Sequence, residues 1–222
     1  MTARSTFDME LEQLNLDLIK MGGMIEEAIA KSIRALEQSN TAIASEIIQS
    51  DHSVDDMEKQ IEARCLRLLM RQQPVARDLR AISTALKMIT DMERIGDHAA
   101  DIAELTIRLD GNKPEAMAQH IPDMADIATQ MVRACVQSFI ENDLDLAKAT
   151  IQRDDEVDDL FNVVRDELIK MLENGSDAET ANQAIDLMMI AKYLERIGDH
   201  AVNICEWVVF YDTGLHKETQ IL

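Results

Sequence analysis

Aromatic residues make up only 3% of these 222 positions, and proline (3) and glycine (7) are almost as scarce. So few strand-favouring aromatics and turn-breakers argue against a strand-and-turn architecture. Cysteine occurs three times, at Cys65, Cys135 and Cys205. An odd, widely spaced set in apolar helical contexts makes neither a disulfide frame nor a zinc knot, and predicts reduced core thiols in a cytoplasmic protein. No run approaches the roughly 18 apolar residues of a membrane span, and Met1 to Phe7 lacks the apolar core of a signal peptide. Basic residues are in deficit: 22 Lys and Arg stand against 42 Asp and Glu, for a net charge of −20. Nucleic-acid phosphates would repel such a chain, and so would anionic lipid unless a cation or a partner intervened. Also missing are a Gly-rich phosphate loop, a nucleophile elbow and a His-Glu-x-x-His zinc helix.

What is present is helix-forming residues and a repeat. Ala, Leu, Ile, Met, Glu, Gln and Asp dominate, a composition that favours helix. The 46% hydrophobic content is enough for a core without disulfides. The run Glu93-Arg94-Ile95-Gly96-Asp97-His98-Ala99 returns unchanged as Glu195-Arg196-Ile197-Gly198-Asp199-His200-Ala201, 102 positions later. Upstream, Asp51-His52-Ser53-Val54-Asp55-Asp56 is echoed by Asp154-Asp155-Glu156-Val157-Asp158-Asp159 at an offset of 103. The offsets differ by one residue, as expected of a tandem duplication that lost one position.

Apolar residues at steps of three and four predict six long antiparallel helices, three in each half. They run over about 8–39, 42–71 and from Pro74 to about Leu109, then about 122–141, 143–172 and 177–211. Gly22-Gly23 is expected to weaken or bend the first by about 1 kcal/mol per glycine. Asn40 or Thr41 is expected to cap the second helix, and Asp143 the fifth. The turn cluster Asp110-Gly111-Asn112-Lys113-Pro114 divides the chain into a bundle over 1–112 and another over 113–222. The first twenty residues have no counterpart in the second half and extend the first helix. Met88, Met92, Met188 and Met189 read as gap-filling core. The fold expected is all-α: a tandem pair of three-helix bundles.

Function is sought in the acids. On a helix, residues four apart lie roughly 40° apart around the axis, so Glu93 points with Asp97 and Glu195 with Asp199. Asp51, Asp55, Glu58 and Glu62 share a sector of about 60°, whereas their twins are Asp154, Asp158, Phe161 and Arg165. The small residues Gly96, Ala99, Ala100 and Ala103 would let a second helix come close and bring its aspartates to the Glu/Asp pair. Two carboxylates about 6 Å apart repel by about 0.7 kcal/mol in water, but by about 3 kcal/mol at an effective dielectric near 20. A bound cation reverses that sign. Oxygen donors suit hard or borderline cations such as magnesium, manganese or iron, with zinc also a candidate. The candidate metal ligands are therefore Asp51, Asp55, Glu93, Asp97, Asp154, Asp158, Glu195 and Asp199. Glu58, Glu62 and Asp101 are candidates for further ligands or outer positions. The competing reading is a solvated acidic face paired with Lys and Arg. His98 and His200 read as groups at the bundle surface or core edge, and Arg94 and Arg196 as ion-pair partners. Arg77 and Arg80 have no basic counterparts in the second half and mark a candidate partner surface.

These residues also carry a family likeness. Gln72-Gln73-Pro74-Val75-Ala76-Arg77-Asp78-Leu79-Arg80, the two Glu-Arg-Ile-Gly-Asp-His-Ala runs, the duplication and the length resemble the PhoU family of bacterial phosphate-signalling proteins. The resemblance spans about Phe7 to Asp212. It implies two three-helix bundles whose Glu/Asp-x-x-x-Asp pairs bind metal. It also implies a cytoplasmic, often dimeric negative regulator of the phosphate-starvation regulon. Such a protein would link the ATPase subunit of a phosphate ABC transporter to a sensor histidine kinase, meeting the membrane only through partners. Unequal flanking acids in the two halves argue against assuming equal metal occupancy. On this reading the chain is a regulator and not an enzyme. The alternatives are a metal-dependent hydrolase or carboxylate-bridged oxidase, and a purely structural helical adaptor.

Overall fold

A computed structural model describes residues 3–71, 76–109, 120–173, 177–217 and 219–220. Among them are eight helices: α1 (Ala3–Glu37), α2 (Thr41–Ser50), α3 (His52–Arg71), α4 (Ala76–Arg108), α5 (Ile121–Glu141), α6 (Leu144–Gln152), α7 (Asp154–Glu173) and α8 (Ala178–Thr213). A two-residue antiparallel ladder, Leu215 to Gln220 and His216 to Thr219, follows α8. Gln72-Gln73-Pro74, the Asp110-to-Pro114 turn with its 112/113 division, and Asn174-Gly175-Ser176 lie outside the described residues.

The all-α expectation holds, with the second and fifth rods each broken once. Val54 N–H bonds to Asp51 O at 2.8 Å, and Arg153 N–H to Thr150 O at 3.1 Å. Both are tight turns of the three-residue kind. Just upstream, the Ser50 hydroxyl donates back to Ile47 O and Thr150 to Leu146 O. Side chains that bond to the preceding turn loosen a helix and turn its axis. The breaks fall at Asp51 in one half and at Arg153, just before Asp154, in the other, so each rod is interrupted where its acidic stripe begins.

The turns are duplicated in detail. Ser39 (φ 49) and Asn142 (φ 53) both take the left-handed conformation. In each half the next residue bonds back across the turn, Asn40 N–H to Ala35 O and Asp143 N–H to Ser138 O, both at 2.8 Å. Asn40 Oδ1 then accepts from the backbone N–H of Ala42 and Ile43, and Asp143 Oδ1 from that of Leu146. Both caps are the residues whose type foretold them.

Gly22-Gly23 leaves α1 unbroken. A Cβ on Gly22 would lie 3.4 Å from Val136 Cγ2, an ordinary contact distance, so α5 packs against α1 there without demanding a glycine. The halves do not build separate cores. One core runs from Phe7 to Val208, and α4 packs along α8 at the centre of the molecule. Of the four methionines read as core, Met88 and Met92 are fully buried and Met188 packs against the core. Met189 is 37% exposed, a correction that bears on the surface of the second half. All three cysteines are buried and free. Burial pushes the Cys65 thiol up to about 12, so it stays neutral and inert.

Candidate metal centres

Asp51 sits at the break between α2 and α3, Asp55 one turn further along α3, and Asp97 on α4. Each offers a carboxylate oxygen such that all three lie within 4.8 Å of one another. α3 can come this close because Gly96 has no side chain. A Cβ there would lie 3.1 Å from Val54 Cγ1. Ala99 and Ala103 are fully buried, and Ala103 meets Ala35, Ala44 and Ile47 in a small satellite core.

Crowding shows in the titration of the acids. Burial, then the Asp97 and Asp55 charges, raise Asp51 above the usual carboxylate range. Glu93 is raised by burial and by Asp97, with Arg94 opposing, and Glu58 by burial, Glu62 and Asp55. Among the described residues, the guanidinium that pairs with these acids is that of Arg94. Arg94 Nη1 lies 2.9 Å from Asp97 Oδ2, and its Nε lies 3.4 Å from Glu93 Oε2. Arg94 is 56% exposed, so solvent screens its charge more than theirs. Glu62 is exposed, and Asp101 turns to His98 Nδ1 at 3.3 Å.

The second cluster is built alike from different supports. Asp154 opens α7, Asp158 lies one turn on, and Glu195 and Asp199 come from α8. Gly198 repeats the role of Gly96 with a sharper consequence. A Cβ there would stand 3.2 Å from Asp154 Oδ1, so the missing side chain is what admits the carboxylate. Burial first, then Asp199, Asp158, Asp155 and Glu195, push Asp154 up to about 6. Asp158 and Asp199 are raised by burial and by Glu195, against the pull of Lys192. The ammonium of Lys192 pairs with Glu195. Among the described residues, only the Asp51, Asp55 and Asp97 group brings three ligand atoms within 4.8 Å. The two clusters are therefore not geometrically equivalent.

The donor set fits a cation. Oxygens bound to one hard ion lie about 3–4.5 Å from each other when each is 2.0–2.5 Å from it. Three oxygens within 4.8 Å thus need only small side-chain rotations. Glu93 lies on the same helix face as Asp97 but outside this three-residue group, its carboxylate 3.4 Å from Arg94 Nε.

Two features lay beyond sequence reasoning. First, the duplicated histidines meet, their ring centroids 5.6 Å apart across the α4–α8 contact. His200 Nδ1 lies 2.8 Å from Asp91 Oδ1, which also accepts from Asn203, and His98 stacks on Tyr193 at 5.3 Å. The repeat placed both histidines at one register, which was the signal that could have found the pair. Second, the duplicated arginines part company. Arg94 is the ion-pair partner expected, whereas the Arg196 guanidinium stands 5.9 Å from the Tyr193 ring and borders an open polar cleft with Asp199, His98, His200 and Lys217. Lys192 has taken over the pairing to Glu195, where the first half has Thr90 at the equivalent position. Arg80 Nε donates to Tyr211 O at 3.0 Å, tying α4 to the end of α8, and Arg77 is exposed.

Comparison with known proteins returns the same duplication. The PhoU domain matches the chain twice, over residues 18–106 and 121–208. A phosphate-specific transport system accessory protein PhoU homolog from Clostridium acetobutylicum is 39% identical over 212 residues, covering 95% of this chain and 96% of that one. A homolog of the same description from Aquifex aeolicus is 38% identical, covering 84% of each chain. The crystal structure of PhoU from Pseudomonas aeruginosa superposes with a TM-score of 0.87 at 32% identity, covering 94% of this chain and all of that one. The phosphate transport system regulatory protein PhoU from Streptococcus pneumoniae gives 0.88 at 27% identity, covering 96% of this chain and all of that one. A doubled helical unit, a near-complete overlap with these relatives and a shared fold lead to one conclusion: the chain belongs to the PhoU family.

Proposed function

We propose that this protein is a non-enzymatic regulator of phosphate uptake whose two acidic clusters hold metal cations. It represses the phosphate-starvation regulon when phosphate is plentiful, standing between the ATPase subunit of a phosphate ABC transporter and a sensor histidine kinase. It works in the cytoplasm as a homodimer, with one bundle over 1–112 and the other over 113–222. The relatives' description as phosphate transport accessory proteins supports the regulatory half of this reading. No helix among the described residues is long and apolar enough to cross a membrane.

One observation carries the metal half. Among the described residues, Asp51, Asp55 and Asp97 bring three carboxylate oxygens within 4.8 Å of one another, and in the other half the charges of Asp199, Asp158 and Glu195 all raise Asp154. Asp51, Asp55, Glu93 and Asp97 would hold one cation group, with Glu58, Glu62 and Asp101 flanking it. Asp154, Asp158, Glu195 and Asp199 would hold the other. Magnesium, manganese, iron and zinc are the candidates, and the oxygen-only donor set favours the harder of them. A cation there neutralises a surface that would otherwise repel acidic partners and anionic lipid.

Elemental analysis of protein purified without chelator is expected to find bound metal that the Asp97→Asn, Asp199→Asn double variant loses. Equal metal in both would end the ligand assignment. Deleting the gene in its host is expected to switch on the phosphate regulon in phosphate-rich medium. Normal repression in the deletion strain would remove the regulatory reading whatever the metal content.

A further inference from the structure

The two acidic groups differ by one coupled exchange of side chains. In the first half Glu93 is raised by burial, then by Asp97, and further by Glu58 across the α3–α4 contact, with Arg94 opposing. The second half has Phe161 in place of Glu58 and Lys192 in place of Thr90. The Lys192 ammonium pairs with Glu195, the twin of Glu93, and lies 5.4 Å from the centre of the Phe161 ring. An ammonium is attracted to such a ring face, so the two replacements support each other. Where one half crowds two acids, the other clasps a lysine between an acid and an aromatic face.

Lys192 acts on more than Glu195. Burial and the Glu195 charge raise Asp158 and Asp199, and the Lys192 charge opposes both. A cation is thus already seated among three of the four acids of the second group. The first half places its cation differently. Arg94 pairs with Asp97 and Glu93 from a side chain 56% exposed, and with that pairing in place Asp51, Asp55 and Asp97 still bring three carboxylate oxygens within 4.8 Å. Among the described residues no such trio forms in the second half, where the Lys192 side chain is 38% exposed and that of Glu195 15%. A charge held against a more buried carboxylate is screened less by solvent and is harder to replace.

We propose that Lys192 is a resident counter-ion that sets the two groups apart as metal sites: the first fills at low free cation, and the second fills only when a metal ion draws Glu195 away from the Lys192 ammonium. The long flexible stem of a lysine lets the ammonium swing toward solvent without moving α8. The displaced ammonium stays close and repels the ion that replaced it, so the second group is the weaker site by about tenfold. The chain then reads two thresholds of the same cation. The inference rests on the metal reading of the acidic groups, and its test tells the failure of one from the failure of the other.

Manganese is titrated into the chelator-stripped full chain, and the free ion is read by electron paramagnetic resonance. Wild type is expected to bind in two classes about tenfold apart in affinity, with Asp97→Asn removing the tight class and Asp199→Asn the weak one. Lys192→Thr, which exchanges the ammonium for the side chain of the first half, should tighten the weak class by about tenfold and leave the tight class unchanged. Arg165→Gln is the control for net charge, because that guanidinium is turned to Asp166 at 2.9 Å, and it should shift neither class. Circular dichroism of each variant reports intact helix. One class of equal sites in wild type would overturn the role of Lys192 while the metal reading stands. So would a weak class that Lys192→Thr leaves unchanged, or that Arg165→Gln shifts as much. Wild type that binds no manganese would overturn both.

Discussion

Stripped of metal, the protein melts at a lower temperature at pH 7.5 than at pH 5, and a saturating divalent cation reverses that order. The sign follows from the acids. Asp154 is raised from 3.8 to about 6, and Asp51, Glu58, Glu93, Asp158 and Asp199 are raised as well. A carboxyl whose folded-state value is raised favours the folded state while it is protonated. Its contribution is complete below the unfolded value and is lost as pH rises through the folded one. For Asp154 that window runs from 3.8 to about 6. Cation binding works against the loss. At a free concentration 100 times the dissociation constant, one site adds about 2.7 kcal/mol. In a chain of this length that corresponds to about 5–11 °C in melting temperature, and both sites together would give more. At pH 5 the proton competes for the same oxygens, so the gain there is smaller. Scanning calorimetry at the two pH values, with and without manganese, reads both effects. Replacing Asp154 and Asp97 by Asn should flatten the pH dependence of the metal-free protein and erase most of the cation's effect. An equal cation-induced rise at pH 5 and pH 7.5 would mean that the ion binds elsewhere.

Helices, caps and duplication were legible because each rests on local chemistry. Asn40 and Asp143 cap because amide and carboxylate oxygens reach backbone N–H groups one turn ahead. The breaks at Asp51 and Arg153 were not legible. The apolar period continues through them, and one or two hydroxyls cannot be weighed against a helical pattern without the packing that bends the rod. The stripes of acids could be read from spacing, yet their convergence depended on how closely α3 approaches α4. The small residues only permitted that approach. Arg94 and Arg196 show the limit most clearly. Identical seven-residue runs place them, but Lys192 in one half and Thr90 in the other decide which arginine is held by the acids. Such a choice is made between neighbours on a folded surface and leaves no periodicity in the chain. The unmatched N-terminal extension was visible as an excess in the first half, where Phe7, Leu14 and Leu18 are buried. Met189, read as core from its register, is exposed, as is its twin Lys87.

Gly96→Val is expected to be the most damaging single change at the first cluster, and a set of glycine variants separates packing from ligation. A Cβ at Gly96 already stands 3.1 Å from Val54 Cγ1, and valine adds two more carbons toward a buried branched side chain. Overpacking of this kind costs about 1–3 kcal/mol. That lowers the melting temperature by about 2–12 °C in a chain of this length. The strain is relieved by pushing α3 off α4, which parts Asp51 and Asp55 from Asp97, so the first cation group should be lost too. Gly198→Ala acts differently. Its Cβ would meet the far end of a rotatable side chain, Asp154 Oδ1, at 3.2 Å. The carboxylate can swing aside, and alanine regains up to about 1 kcal/mol of helix propensity. Stability therefore changes little, while the second cluster loses the ligand that Gly198 had admitted. Gly23→Ala is the control, because nothing lies within 4 Å of its Cβ and α1 is simply strengthened. Melting curves should rank the variants Gly23→Ala above wild type, Gly198→Ala near it and Gly96→Val well below. Manganese titration should find the first cluster weakened in Gly96→Val, the second in Gly198→Ala, and neither in Gly23→Ala. Wild-type manganese binding in Gly198→Ala would show that Asp154 does not have to lie against α8 for an ion to bind.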